Sequence, residues 1–254
     1  SFKEKSITQI FDPVTSTTFI GNIDILPTKI LNYDLRWELF QENAQMYAIS
    51  LFYKDFTNPI ELVVYNGASP NDFTPKNVEE AKVYGIELEF RKNLEFISES
   101  LSNFKLTFNT SIIRSEEIMD EKEYEGRTKS ARSGEVVSRK RELQGQSPYL
   151  INLGLNYNSI NNNFEGSLNY NVQGKTLQIV GVNYVPDIFT EPFNSLNVNF
   201  NYKFGRTGNL KLGLGIKNLL DEKVESYYYT NDIKSIYSSL SPRREFKLSL
   251  GINF

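Results

Sequence analysis

The sequence predicts an all-β protein: an antiparallel transmembrane β-barrel meander of about nine or ten strands. Three observations predict it. Apolar and polar residues alternate through nine runs, the apolar sides of those runs hold no charged residue, and short turns alternate with long loops between them. Successive side chains of a strand point to opposite faces, so each alternating run has one apolar and one polar side. The last ten residues show this most cleanly: Phe246, Leu248, Leu250, Ile252 and Phe254 share one side, and Glu245, Lys247, Ser249, Gly251 and Asn253 share the other. A tilted strand needs roughly 9 to 11 residues to cross a bilayer.

Taken in order, a weaker strand falls within residues 1 to 25. The first clear pair places Leu31, Tyr33, Leu35, Trp37 and Leu39 on one face, turns at Gln41-Glu42-Asn43-Ala44, and continues with Tyr47, Ile49, Leu51 and Tyr53. Next come Tyr84, Ile86, Leu88 and Phe90, a connection near Asn93 to Asn103, then Phe104, Leu106, Phe108 and Thr110. Tyr149, Ile151, Leu153, Leu155 and Tyr157 precede a turn at Asn161-Asn162-Asn163, followed by Phe164, Leu168, Tyr170 and Val172. Leu196, Val198, Phe200, Tyr202 and Phe204 meet Leu210, Leu212, Leu214 and Ile216 across Gly205-Arg206-Thr207-Gly208-Asn209, a hairpin signal. Short polar turns near residues 42, 161 and 207, with a somewhat longer link near 98, define one rim. Long links over about 58–81, 115–147, 177–193 and 221–241 define the other.

A soluble sandwich also alternates, but its strands run to about 5 to 6 residues with Greek-key connections. An uncharged face fits lipid, where a midplane Arg or Lys costs about 2 to 4 kcal/mol. Tyr33, Trp37, Tyr149, Tyr157 and Tyr202 lie towards run ends, as in interfacial girdles. An open edge in lipid leaves N–H and C=O groups unpaired. Nine or ten strands therefore either close as a small barrel or form the final part of a larger one.

The 254 residues are 39% hydrophobic and 13% aromatic, with a net charge of -3. Phe and Tyr are abundant, which favours strands over helices. No stretch of about 18 apolar residues exists, so no transmembrane helix is expected. With no cysteine and no histidine, thiolate catalysis, Cys-based zinc sites and the usual neutral-pH general base are excluded. Catalytic, metal and cofactor sites are not expected, nor is a nucleic-acid partner. The chain begins Ser1-Phe2-Lys3 without an initiator Met or signal peptide, and reads as processed or as a piece of something longer.

Several stretches resemble the C-terminal barrel half of TonB-dependent outer-membrane receptors, in particular a Bacteroidetes-type subfamily. They are Gly21-Asn22-Ile23-Asp24 with Lys29-Ile30-Leu31-Asn32-Tyr33-Asp34-Leu35-Arg36-Trp37-Glu38, and Phe52-Tyr53-Lys54-Asp55-Phe56-Thr57-Asn58-Pro59-Ile60-Glu61. Val83-Tyr84-Gly85-Ile86-Glu87-Leu88-Glu89-Phe90-Arg91, Leu143-Gln144-Gly145-Gln146-Ser147-Pro148-Tyr149 and Lys217-Asn218-Leu219-Leu220-Asp221 follow in family order. The final aromatic strand is similar to the signal read by the barrel assembly machinery. The resemblance implies a 22-stranded barrel in the bacterial outer membrane, with a lumenal plug and uptake powered by a TonB-type energy transducer. Residues 1–254 then form the C-terminal portion of such a barrel, with the plug, TonB box and N-terminal strands absent. Implied partners are outer-membrane lipids, those missing parts, the transducer acting through the plug, and a surface lipoprotein. The alternative is a self-contained small barrel acting as a passive pore or adhesin.

Candidate ligand contacts fall in the long loops. Tyr227, Tyr228, Tyr229 and Tyr237 offer rings for stacking on an incoming ligand, or pack at the membrane rim. Phe189, near Pro186, Asp187 and Pro192, shapes another loop that faces cargo or a lid protein. In the longest loop Glu116, Glu117, Asp120, Glu121, Glu123 and Glu125 precede Arg127, Lys129, Arg132, Arg139, Lys140 and Arg141. Arg139 and Arg141 are anion-binding candidates; the plainer reading is a solvated loop with local charge pairing. Asp34, Arg36, Glu38, Glu87, Glu89, Arg91, Lys105, Glu165, Lys203, Lys211, Lys217, Glu245 and Lys247 face the lumen as a hydrated or plug-contacting wall. Glu87 and Glu89 lie about 7 Å apart along a strand, a generic spacing that does not make a glycosidase pair.

Overall fold

The computed structural model describes residues 4–13, 16–42, 44–65, 72–131, 136–182, 185–205, 209–230 and 233–252. Outside them lie Ser1, Phe2 and Lys3, Asn43 of the first turn, Arg132 of the longest loop, Arg206, Thr207 and Gly208 of the last hairpin, and Asn253 with the terminal Phe254. Among the described residues nine long strands form one wall: β1 Lys29–Gln41, β2 Gln45–Thr57, β3 Glu80–Asn93, β4 Phe104–Ile118, β5 Tyr149–Asn158, β6 Phe164–Gln173, β7 Phe193–Phe204, β8 Leu210–Lys217 and β9 Glu245–Ile252. They pair antiparallel in chain order from β1 to β9, with β1 and β9 as open edges.

Alternation sets this register. Leu39, Tyr47, Phe90, Phe108, Leu153, Tyr170 and Leu196 are successive partners across seven strands. A second row runs Leu106, Leu155, Leu168, Val198, Ile216 and Phe246. A one-residue slip of any strand would turn its apolar side to the other face. Towards the long-loop rim Tyr33 packs 6.3 Å from Tyr53, and Tyr53 lies 6.5 Å from Tyr84. At the short-turn rim Tyr157 lies 4.8 Å from Phe104 and 5.9 Å from Phe164. These are two aromatic girdles. Trp37 is elsewhere, in the row of Ile49 and Leu88 inside the apolar band.

The apolar side is uncovered: Leu35 is 70% exposed and Leu250 76%. A contiguous bare apolar face of this extent is not a stable surface in water. The turn between β5 and β6 places Asn162 at a φ of 52°, a left-handed conformation that Asn tolerates better than most residues.

The long connections are folded rather than irregular. The weaker strand expected within residues 1 to 25 is a hairpin, Gln9–Asp12 with Thr17–Ile20, and it does not join the wall. It adds to Ile60–Val64 and Asp72–Asn77 in an outer four-stranded sheet, where Thr17–Ile20 runs parallel to Asp72–Asn77. Thr176–Ile179, Ile188–Thr190, Val224–Thr230 and Ile233–Leu240 form a second outer sheet. Val64 N and Val180 N donate across the junction to Val180 O and Leu62 O, both at 3.2 Å. The buried apolar core lies in this outer layer: Val64, Phe73, Ile179 and Ile188 form one cluster, Val63, Leu177 and Val180 another.

The longest loop carries α1, Glu121–Ser130. Asp120 caps it, its Oδ1 accepting Glu123 N–H at 2.8 Å. Acidic residues in its first turn and basic ones in its last suit the helix dipole, and Glu125 pairs with Lys129 one turn on at 3.1 Å.

Candidate functional site

The polar face of the wall divides into a charged sector and an amide sector. In the charged sector Arg36 donates from Nε to Glu38 at 2.5 Å, from Nη1 to Ser50 Oγ at 2.9 Å and from Nη2 to Glu89 at 3.0 Å. Arg91 donates to the other Glu89 oxygen at 2.7 Å. Glu89 is therefore spent on two guanidinium groups. From β4 to β7 the register sets Asn109, Asn152 and Asn171 side by side, then Asn169 beside Asn197. Asn171 Nδ2 donates to Asn152 Oδ1 at 2.6 Å. A concavity of about 400 Å³ opens between the sectors, lined by Glu89, Arg91, Lys105, Thr107, Asn109 and Asn152 among others. Further along, Lys203 pairs with Glu165 at 2.9 Å and Lys217 with Glu245 at 3.2 Å.

The second outer sheet gathers most of the aromatic candidates and sorts them between its faces. Tyr228 and Tyr237 turn inward, their rings 5.3 Å apart, and Tyr237 also meets Phe73 at 6.5 Å. Burial pushes both phenols up, Tyr237 to about 12. These two are packing groups of the outer core. Phe189 and Tyr229 lie on the opposite face with centroids 5.4 Å apart, and Tyr227 is the strand partner of Phe189. Lys175 Nζ sits 3.4 Å from the Tyr229 ring centroid and 4.3 Å from that of Phe189, and Lys234 Nζ sits 4.0 Å over Tyr227. Cations over aromatic faces are attracted by the ring quadrupole.

Two carboxylates complete this aromatic–lysine face. Tyr227 donates its hydroxyl to Glu225 at 2.6 Å, which holds that carboxyl below the usual range. Tyr229 donates to Glu191, which also pairs with Lys234 at 3.0 Å. Burial works against the charge of Glu191, and these two donors overcome it and hold its pKa low. Burial lowers the Lys175 pKa. Lys175, Lys234, Glu191 and Glu225 carry no sequence signal of their own; only the strand pairing brings them to the rings.

Arg139 and Arg141 part company. Arg139 is exposed beside α1, paired with Glu121 and stacked 5.3 Å from the Tyr124 ring. Arg141 is 6% exposed and enclosed by three carboxylates. Its Nη2 and Nη1 reach the two Glu61 oxygens at 2.5 and 3.0 Å, and its Nε reaches Glu123 at 2.8 Å. Nη1 also donates to Glu117 Oε2 at 3.1 Å. Glu117 Oε1 lies 2.7 Å from Nη2 but off the hydrogen-bonding angle, so this buried atom has no hydrogen-bond partner. Burial and the neighbouring Glu61 carboxylate push the Glu117 carboxyl up to about 10. Burial opposes the charge on Glu61, and Arg141 outweighs it and keeps Glu61 ionised. The plainer reading of local charge pairing thus holds for Glu125 and Lys129, whereas Arg141 ties together distant segments.

A one-layer wall with a bare apolar face, two aromatic girdles and a polar concave face is the wall of a transmembrane β-barrel. The chain belongs to the family described as TonB dependent receptor-like, beta-barrel, whose model matches residues 1–219. Among solved structures it is similar to a ferric enterobactin receptor of Pseudomonas aeruginosa in complex with enterobactin, at 17% identity and a TM-score of 0.56, over 94% of this chain and 34% of that one. It is also similar to the ferric citrate transporter FecA in unliganded form, at 16% identity and a TM-score of 0.58, over 88% and 31% respectively. For the copper transporter OprC the identity is 17% and the TM-score 0.57, over 92% and 33%. The chain thus spans about a third of the length of these proteins. No curated protein sequence matches it. Its structural homologues are transport receptors rather than enzymes.

Proposed function

We propose that residues 1–254 are the C-terminal portion of an outer-membrane receptor barrel that recognises a ligand at its outer surface and passes it inward by TonB-dependent uptake. The single observation that carries this reading is the nine-strand wall with both edge strands open and an uncovered apolar band running across one face. Unpaired backbone groups within lipid cost several kcal/mol each, so β1 and β9 require further strands to close the barrel. A lumenal plug would meet the charged and amide sectors, and the TonB-type energy transducer would act through that plug.

The aromatic–lysine face of Phe189, Tyr227 and Tyr229 forms part of the ligand entrance, with a surface lipoprotein as a candidate lid. Stacking rings beside charged hydrogen-bonding groups suit a planar or multiply polar solute. The solved neighbours supply a probe panel of ferric enterobactin, ferric citrate and copper. Cells carrying the whole receptor should accumulate at least one of these only when the energy transducer is present, and Tyr227→Ala with Tyr229→Ala should reduce it. Accumulation independent of the transducer would overturn the reading in favour of a passive pore. A second check concerns closure: the 254-residue chain purified alone should fail to give a heat-modifiable, detergent-stable monomer, whereas a self-contained barrel would give one.

A further inference from the structure

A continuous line of ion pairs, buried around Arg141 and partly buried around Arg127, runs from the wall to the aromatic–lysine face. It starts where β3 and β4 rise past the apolar band, with Ala81 opposite Glu117. Arg141 gathers Glu61, Glu117 and Glu123 there. Glu123 is shared: its Oε1 also accepts from Arg127 Nη2 at 2.9 Å. Arg127 then holds both oxygens of Asp187, each at 2.8 Å. Asp187 is tied to its own loop by Gly181 N–H, which donates to Oδ1 at 2.8 Å. Its backbone carbonyl accepts Tyr229 N–H at 3.1 Å, and Phe189 lies two residues on.

We propose that Arg127 and Arg141 are positioning residues of the ligand face: through Glu123 and Asp187 they fix Phe189 and Tyr229 relative to the outer ends of β3 and β4. This rests on reading that face as part of the ligand entrance. The outer sheets already share an apolar core around Val64, Phe73, Ile179 and Ile188, so the ions are not needed to hold them together. Buried ion pairs add little net stability over apolar packing of equal volume, and their best-attested use is to fix one arrangement among several. Apolar contacts between sheets tolerate sliding. Two bidentate guanidinium–carboxylate pairs in series do not.

The test is Arg127→Met beside Arg127→Lys in the whole membrane-embedded receptor, read by amide hydrogen exchange. Arg127 is preferred because it is less enclosed than Arg141. Arg127→Met should raise exchange in Ile188–Thr190 and Val224–Thr230 by about tenfold or more while β5 and β6 stay unchanged, the mark of local rather than global opening. Arg127→Lys keeps the charge without the fork and should restore part of the protection. Unchanged exchange in the outer strands, or an equal rise in β5 and β6, overturns the positioning role. The readout needs no ligand, so such a result leaves the ligand-face reading standing. A loosened face with undiminished uptake of a panel compound instead overturns the ligand-face reading.

Discussion

Glu61 and Arg141, 80 residues apart in sequence, meet in a bidentate pair of 2.5 and 3.0 Å with almost no solvent access. The two neighbouring carboxylates are driven in opposite directions: Arg141 outweighs burial and favours the charged form of Glu61, whereas burial and the adjacent Glu61 carboxylate favour the neutral form of Glu117. Glu61→Gln should therefore cost the outer layer about 3 to 5 kcal/mol, the loss seen when one partner of a buried pair is removed. With the neutral form of Glu117 favoured, Glu117→Gln keeps the shape of the side chain without a charge and should cost less than about 1 kcal/mol. Hydrogen exchange in Ile60–Val64 and at Lys140–Arg141 reads both. Equal costs would show that Glu117 is ionised in the native protein.

The same pair predicts a pH dependence. Burial and the neighbouring Glu61 carboxylate raise the Glu117 carboxyl from 4.5 to about 10. A group raised on folding contributes stability that is full below its unfolded pKa and is lost as pH rises through the folded one. Glu61 is lowered, with Arg141 prevailing over burial, so its contribution is present above 4.5 and lost as pH falls. The outer layer should then loosen as pH climbs towards about 10, and Glu117→Gln should flatten that alkaline limb while leaving the acid limb in place. Protection of Ile60–Val64 across the pH range, corrected for the intrinsic exchange rate, is the measurement.

All nine wall strands are legible in the sequence because alternation needs only the knowledge that each residue faces one of two media. The outer layer is not legible in that way. Ile60-Glu61-Leu62-Val63-Val64 is a short apolar run broken by a carboxylate that turns out to be 1% exposed. Only Arg141, 80 residues away, makes that burial tolerable, and such a pairing leaves no periodic trace. The site divides likewise. Tyr227, Tyr229 and Phe189 stand out as loop aromatics, but Lys175 joins them only because Thr176–Ile179 pairs with Ile188–Thr190. Arg141 looks like its neighbour Arg139 in the sequence, and their burial differs because Arg141 alone falls opposite Glu117 in the strand register.

Glycines in the wall offer a contrast in close packing. A Cβ on Gly85 would overlap the Ile112 carbonyl oxygen and approach Phe52 Cζ to 2.7 Å, because that ring covers the glycine from the next strand. A Cβ on Gly166 would meet nothing nearer than Phe200 Cδ1 at 3.5 Å. Gly85→Val should thus cost about 1 to 3 kcal/mol through displaced ring and backbone. Gly166→Val, on the apolar side, should change stability by less than about 0.5 kcal/mol. Denaturant unfolding in detergent micelles of the whole receptor would compare them.

The orientation of the wall is tested at its last strand. Leu250 pairs with Leu212 on the bare apolar side, and the next residue back, Ser249, pairs with Gly213 on the polar side. The two positions share one strand, one backbone environment and one distance from the chain end, so they differ only in the face they present. An Arg at Leu250 must be placed in hydrocarbon, at up to about 2 to 4 kcal/mol depending on depth. An Arg at Ser249 enters the hydrated side, near Lys211 and Asn201 in adjoining strand registers, where water solvates it. Leu250→Arg should therefore reduce the heat-modifiable, membrane-assembled fraction severalfold, and Ser249→Arg should leave most of it. Equal losses would mean that the strand's side assignment is wrong. Because register couples each strand to the next, every apolar row across the wall would then be wrong with it.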